Sequence, residues 1–301
     1  MATIATTGSA TLSVPAPREE RRWGGLFLLL PAPLLWMLVF YLIPLVILLV
    51  HAFWSVDYLT IQRSFTLENF QTLFTNSLYS RVLLRTVTIA ALVTITDIIL
   101  AFPIAYFIAK KATKHRELLL LMVIFPLWSS YLIRVFAWKT ILGTSGILNS
   151  FLLWTGVIEQ PVTAFLYSKT AMYLTFSQVW LPFMILPLYT VLDRMPNSLL
   201  EAAADLGSNW WQTFRRVVLP LSVPGILAGS LSVFSLTLGD YITPTLLGGP
   251  GDQMIGRLVA DNFGMSNNWP LGAALIVPIL AIVSLFIFIA SRFGALGRSE
   301  V

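Results

Sequence analysis

The chain predicts an all-α fold of six membrane-spanning helices. Three observations predict it. Of its 301 residues, 57% are hydrophobic and only 11% are charged, whereas a soluble domain carries about 25% charged residues. Apolar runs of about 20 residues recur along the chain, the length that crosses a hydrocarbon layer. Polar loops separate these runs, and the loops share the basic residues unevenly. The length alone would permit two soluble domains, but one or two soluble cores cannot absorb so much apolar sequence. The net charge of +5 would suggest nucleic acid in a soluble protein; here it is accounted for by the cations that membrane proteins keep on their inner loops. The absence of cysteine excludes a disulfide framework and a thiolate metal site.

Residues 1–25 are rich in Ala, Thr and Ser and then charged from Arg18 to Arg22, the composition of a disordered cytoplasmic tail. Arg21 and Arg22 before an apolar run imitate a signal peptide. The run is too long for one, and no small-residue cleavage site follows it. Residues 26–301 therefore read as one transmembrane domain that opens with an uncleaved span, Leu26 to Val50. Its prolines at 31, 33 and 44 are tolerated where neighbouring groups satisfy the freed carbonyls, and His51, Trp54 and Tyr58 mark its far interface. A polar connection follows, with a short helix starting near Glu68. The second span runs from Val82 to Ala109 and ends in a dense basic loop, Lys110 to Arg116. The third is Leu118 to Trp138. Residues 139–169 carry Gly143, Gly146, Gly156 and Pro161 and read as a long outer connection that partly re-enters the membrane. The fourth span is Ala171 to Leu192, the fifth Leu221 to Leu247 and the sixth Pro270 to Ser291.

Six spans place both termini on one side. Arg18, Arg21, Arg22, Lys110, Lys111, Lys114, Arg116, Arg194, Arg215, Arg216, Arg292 and Arg298 share that side, twelve cations against the seven of the other. The positive-inside rule then puts the termini and the polar stretch 193–220 in the cytoplasm. In that stretch, residues 199–206 have helical composition. Ser198 with Glu201 three residues on reads as a capping box, and Gly207 as a left-handed cap. A second helix near residues 209–217 precedes Leu219-Pro220, where the chain turns back into the membrane. Two readings stand: an amphipathic surface hairpin, or a docking helix that offers a small-residue face and one carboxylate to a soluble partner. Trp210 and Trp211 read as an interfacial anchor or as packing against that partner.

Ionisable residues inside spans are functional candidates. Asp97, Arg134 and Asp240 qualify. Asp240 with Tyr241, Trp128, Tyr131 and Trp180 offers the carboxylate and aromatic faces that a cationic amine needs. The alternative is structural: Asp240 pairs with Arg134, and Asp97 hydrogen-bonds within the bundle. Arg134 would repel a cation unless neutralised. No His, Asp or Glu cluster has metal-ligand spacing. No phosphate-binding G-x-x-x-x-G-K-[ST] loop occurs, so ATP hydrolysis on this chain is not expected.

Glu201-Ala202-Ala203, Gly207, Val217 and Leu219-Pro220, at this spacing and on a cytoplasmic loop, resemble the EAA loop of bacterial ABC importer permeases. The family's aliphatic residue is usually Ile where Val217 stands. Pro126 to Trp138, Gly146 to Asn149, Gly239 to Gly249 and the segment from Asn268 are similar to the polyamine (spermidine/putrescine) branch of type I importers, and the long first span resembles its PotB-like permeases. The resemblance covers nearly everything from Leu26 onward. It implies the type I permease fold in the bacterial inner membrane. It implies that the EAA loop forms a coupling helix seated on a cytoplasmic ATPase, with Glu201 as the charge contact, Ala202 and Ala203 as the close-approach face, Gly207 as the turn, and Leu219 and Pro220 closing the motif. It implies a PotC-like second permease, two ATPase subunits that bind ATP and magnesium, and an extracytoplasmic binding protein, with no cofactor and no nucleic acid on this chain. The same architecture also suits an opine, an aminoalkylphosphonate, ferric ion or an oxyanion. A polytopic membrane enzyme would need a clustered catalytic set, which the sequence lacks.

Overall fold

The computed structural model describes residues 31–57 and 60–296, with side chains to Arg292. The expected tail, the start of the first span, Tyr58 and Arg298 lie outside the described residues. Two compact units divide the chain after Ile47. The first contains most of the apolar helix α1, Pro31–His51. The second takes in the last turn of α1 and then a hairpin of β1, Ser55–Asp57, and β2, Thr60–Gln62, paired antiparallel with Ser55 opposite Gln62. Among the described residues, the regular elements after it are all helices.

The helices are α2, Glu68–Thr75; α3, Ser77–Lys111; α4, Arg116–Trp128; α5, Tyr131–Leu142; α6, Ile147–Trp154; α7, Lys169–Arg194; α8, Asn197–Asp205; α9, Trp210–Gly239; α10, Ile242–Leu247; α11, Ile255–Gly264; and α12, Trp269–Leu296. Among the described residues, α1, α3, α7, α9 and α12 are each long and apolar enough to cross a membrane; a sixth span results if α4 and the α5–α6 segment, bent by 91°, count as one.

That bend corrects the third predicted span. Leu118 to Trp138 is not one helix. Pro126 sits in a 3-10 turn over Phe125–Trp128, and Ser129 and Ser130 take extended ψ values of 148° and 136°. The α-helical hydrogen-bond ladder therefore stops, as it does when a proline ring displaces the carbonyl four residues back. The connection beyond it holds α6, and Asn149 ties it together. The Asn149 amide donates to the carbonyls of Gly143 and Val162, both at 3.1 Å, and its oxygen accepts the Val162 N–H at 2.8 Å.

The fifth predicted span changes at both ends. At its start there is no turn at Leu219-Pro220: α9 runs unbroken from Trp210, through a π turn at Phe214–Val218. The π turn ends just before Pro220, as the π turn of α1 at Leu38–Leu42 ends just before Pro44. Widening one turn makes room for a pyrrolidine ring and for its missing donor. At its far end α9 stops at Gly239, Asp240 is extended with ψ 134°, and α10 starts afresh.

The centre of the bundle is α3, α7 and α9. Val93, Phe176, Met184, Leu188 and Val233 are buried there. Where α9 crosses α7, Gly229 faces Met184, and a Cβ at Gly229 would stand 3.1 Å from the Met184 Cα. Small residues permit such backbone approach where lipid supplies no hydrophobic drive between helices.

Candidate functional site

The stretch 193–220 builds a rigid corner. The α7 helix ends at Arg194, and Pro196 holds extended backbone (φ −62°, ψ 135°) immediately before α8. The helix therefore begins at Asn197, two residues earlier than a Ser198 cap would allow, and no side chain caps it. The predicted Ser198–Glu201 capping box is not formed. A capping box forms instead at the next helix: Asn209 Oδ1 accepts the Gln212 N–H at 2.9 Å, and Gln212 Oε1 accepts the Asn209 N–H at 3.0 Å. Gly207 closes α8 at φ +75°. Its N–H donates to Ala204 O at 2.9 Å and the Ser208 N–H to Ala203 O at 3.0 Å, the paired bonds of a Schellman motif.

Along α8, Glu201, Ala202 and Ala204 are exposed, whereas Ala203 is only 8% exposed. The small residues thus divide. Ala203 packs inward on this chain, and Glu201 with Ala202 faces outward. The expected close-approach face accordingly loses Ala203. Leu219 and Pro220 lie inside α9, and Val218 beside them is buried.

Two side chains from elsewhere grip this corner. Lys110 Nζ, at the end of α3, donates to Met195 O and to Asn197 Oδ1 at 3.2 Å. Arg116, opening α4, pairs with Asp193, and its Nε donates to the Tyr189 hydroxyl at 2.8 Å. The sequence reads both only as loop cations; their partners, on α7 for Arg116 and at Met195 and Asn197 for Lys110, are tertiary and leave no local signal. On the other side of the loop, Phe214 meets Phe102 edge-on at 5.3 Å and stacks with Trp210 and Trp211 at 5.6 and 5.5 Å. A cavity of about 550 Å³ opens here, lined by Phe102, Phe107, Lys111, Trp210 and Phe214 among others.

A second cluster lies at the opposite end of α9. Asp240 is buried, and its carboxylate accepts the N–H groups of Ile242 at 3.3 Å and Thr243 at 2.9 Å. It therefore starts α10 in the manner of a helix cap. The Tyr131 hydroxyl shares a 2.6 Å hydrogen bond with Thr243 Oγ1. The Tyr131 ring stacks on Trp180 at 5.0 Å, and the Arg134 guanidinium lies 5.9 Å from the Tyr131 ring. Arg134 donates to Val179 O at 3.2 Å. No ion pair joins it to Asp240 among the described residues, so the expected Arg134–Asp240 pair is not formed. Trp180 Nε1 and Arg134 Nε are buried without a hydrogen-bond partner among the described residues.

The structure thus gathers Asp240, Tyr131, Arg134 and Trp180 but not the other candidates. Trp128 is 73% exposed and stands before the bend, and Tyr241 is half exposed. Asp97 is fully buried in α3, and neither carboxylate oxygen has a hydrogen-bond partner among the described residues. The expected hydrogen bond for Asp97 within the bundle is absent there. No group of three metal-ligating side chains occurs among the described residues.

The family model "Binding-protein-dependent transport system inner membrane component" matches residues 90–296. The inner membrane ABC transporter permease protein YdcU of Escherichia coli (strain K12) is 41% identical over 285 residues, 90% of each chain. The spermidine/putrescine transport system permease protein PotB of Haemophilus influenzae is 37% identical over 267 residues, 88% of this chain and 93% of that protein. Among solved structures, a chain of a bacterial ABC transporter involved in the import of the acidic polysaccharide alginate matches with a TM-score of 0.69 at 21% identity, covering 93% of this chain and 97% of that one. At that identity the likeness concerns the fold alone. With the family model matching from α3 to the end of α12, and relatives this similar along nearly the whole length, the chain belongs to the binding-protein-dependent transport system inner membrane components, the permeases of ABC importers.

Proposed function

We propose that the chain is one of two permease subunits of a polyamine importer, and that α8 is where ATP-driven motion enters it. The observation that carries this reading is α8 itself: a short helix, closed by a Schellman motif, with Glu201 and Ala202 presented outward. A packed, capped element transmits a rigid-body displacement where a loose loop would absorb it. The count of loop cations supports a cytoplasmic position for α8 and both termini. ATP and magnesium belong to two ATPase subunits that dock there. A PotC-like permease completes the pathway within the lipid bilayer, and a binding protein delivers substrate to the Asp240 end. No nucleic acid takes part.

The polyamine assignment draws on the name of the PotB relative and on the chemistry of the Asp240 end. Tyr131 and Trp180 supply stacked aromatic faces, and Asp240 supplies a carboxylate linked to them through Thr243. Trp128 and Tyr241, both exposed, offer further rings to an alkylammonium chain. Asp97 is the remaining carboxylate on the route. The test is uptake by the complete importer in proteoliposomes. Labelled spermidine and putrescine are offered with the binding protein, and an opine, an aminoalkylphosphonate, ferric ion and sulfate serve as rival substrates. Saturable ATP-dependent polyamine uptake is expected. Uptake of a rival with no polyamine uptake overturns the substrate, and substrate turnover by the purified chain alone would restore the enzyme reading.

A further inference from the structure

We propose that Lys110 and Arg116 are positioning residues of energy coupling: they carry the displacement of α8 into α3 and α4. The inference rests on the reading of α8 as the ATPase contact. The backbone joins α8 directly to α7 and, through residues 206–209, to α9. It does not join α8 to α3 or α4, although α3 is one of the three helices at the centre of the bundle. Besides the packing of α3 on α7 and α9 within the bundle, two side chains tie the α7–α8 corner itself to α3 and α4.

Lys110 holds both sides of the stiff residue at the corner. Its Nζ donates to the carbonyl of Met195, just before Pro196, and to the side chain of Asn197, the first residue of α8. Arg116 holds the helix leading into the corner. It pairs with Asp193 in the last turn of α7 and donates to Tyr189 one turn earlier. A carboxylate in the last turn of a helix faces the negative end of the helix dipole, so helix electrostatics disfavour an aspartate at this position. The Arg116 contact accounts for its presence. The same end of α3 also meets α9 through Phe102 and Phe214. The end of α3 is therefore held on both flanks of the loop, by a cation on the α7–α8 corner and by an aromatic contact on α9.

The pair is suited to transmission more than to stability. Its side chains are 34% and 35% exposed, and pairs that open to solvent contribute little to folding. Removing it should uncouple the machine without dismantling it.

The experiment uses the complete importer in proteoliposomes. Arg116→Ala and Lys110→Ala, singly and together, are measured for ATPase-subunit retention, ATP hydrolysis stimulated by loaded binding protein, and uptake per ATP. The expected result is unchanged retention with a drop of about tenfold in uptake per ATP for the double variant. Arg116→Asp combined with Asp193→Arg should regain most of that ratio, since a Tyr189 hydroxyl can donate to an aspartate as readily as it accepts from an arginine. A double alanine variant with the wild-type ratio overturns the inference. If the alanine variants do not insert, the swap decides alone: an inserted swap with restored coupling supports the pair, and an inserted swap that stays uncoupled overturns it. A failure of the underlying reading shows elsewhere, as normal ATPase retention by Glu201→Lys.

Discussion

Asp240 accepts the N–H of Thr243 at 2.9 Å, while the Thr243 side chain shares a hydrogen bond with Tyr131. One carboxylate thus ends α9, begins α10 and fixes the ring that stacks on Trp180. Structure and substrate route converge on the same residue, and substitutions can separate the two roles.

Asp240→Asn keeps an acceptor oxygen for the α10 cap and removes the charge. Asp240→Ala removes both, and loss of a cap of this kind costs about 1 kcal/mol. The account expects a lowered unfolding temperature for the alanine variant only. It expects a raised KM for polyamine in both. An Asn variant with unchanged transport kinetics would reduce Asp240 to the cap.

Gly256 tests how tightly the same corner is built. A Cβ there would stand 2.9 Å from the Asp240 carbonyl carbon and closer still to its oxygen. The obstacle is backbone and cannot swing aside. Gly256→Ala should destabilise the protein by about 1–3 kcal/mol, read as a lower midpoint in thermal unfolding of detergent-solubilised protein.

At the loop end, Gly207 sits at φ +75°, where a side chain is strained by roughly 1–2 kcal/mol. Gly207→Asp adds a charge beside the outward face of α8 as well. Uptake should be abolished and ATPase retention weakened while membrane insertion persists. Glu201→Lys should give the same loss with no backbone strain, which separates the charge contact from the turn.

Phe214 packs on Phe102, Trp210 and Trp211. Phe214→Ala should remove about 0.5–1.5 kcal/mol of aromatic pairing and enlarge the adjoining cavity. Trp210 and Trp211 emission should shift to longer wavelength relative to wild type. An unchanged spectrum would mean that the aromatic cluster does not hold α9 against α3.

The features legible in the sequence were those encoded locally. Apolar run length located the helices, and Gly207 announced its own left-handed turn. The spacing from Glu201 to Pro220 pointed to the loop before any tertiary contact was known. Local signals also misled where two of them competed. Ser198 and Asn209 both have cap chemistry, but Pro196 starts α8 two residues early and leaves only Asn209 to form a capping box. The bend after Trp128 was hidden because apolar residues continue across Ser129 and Ser130 without a change of pattern. The division of Ala202 from Ala203 depends on which way α8 faces, and the Arg116–Asp193 pair depends on how α4 meets α7. Both are matters of packing, which a single helix does not report.

The most direct test of the central claim exploits a chain without cysteine. Ala202→Cys and Ala203→Cys are made separately in the assembled importer and treated with a short thiol-to-amine crosslinker. The account predicts a covalent adduct with the ATPase subunit from position 202, at a yield that changes when ATP is added, and little or none from the inward-facing position 203. Absence of an adduct at 202, with the complex intact, would contradict the claim that α8 is the surface through which ATP-driven motion enters this permease.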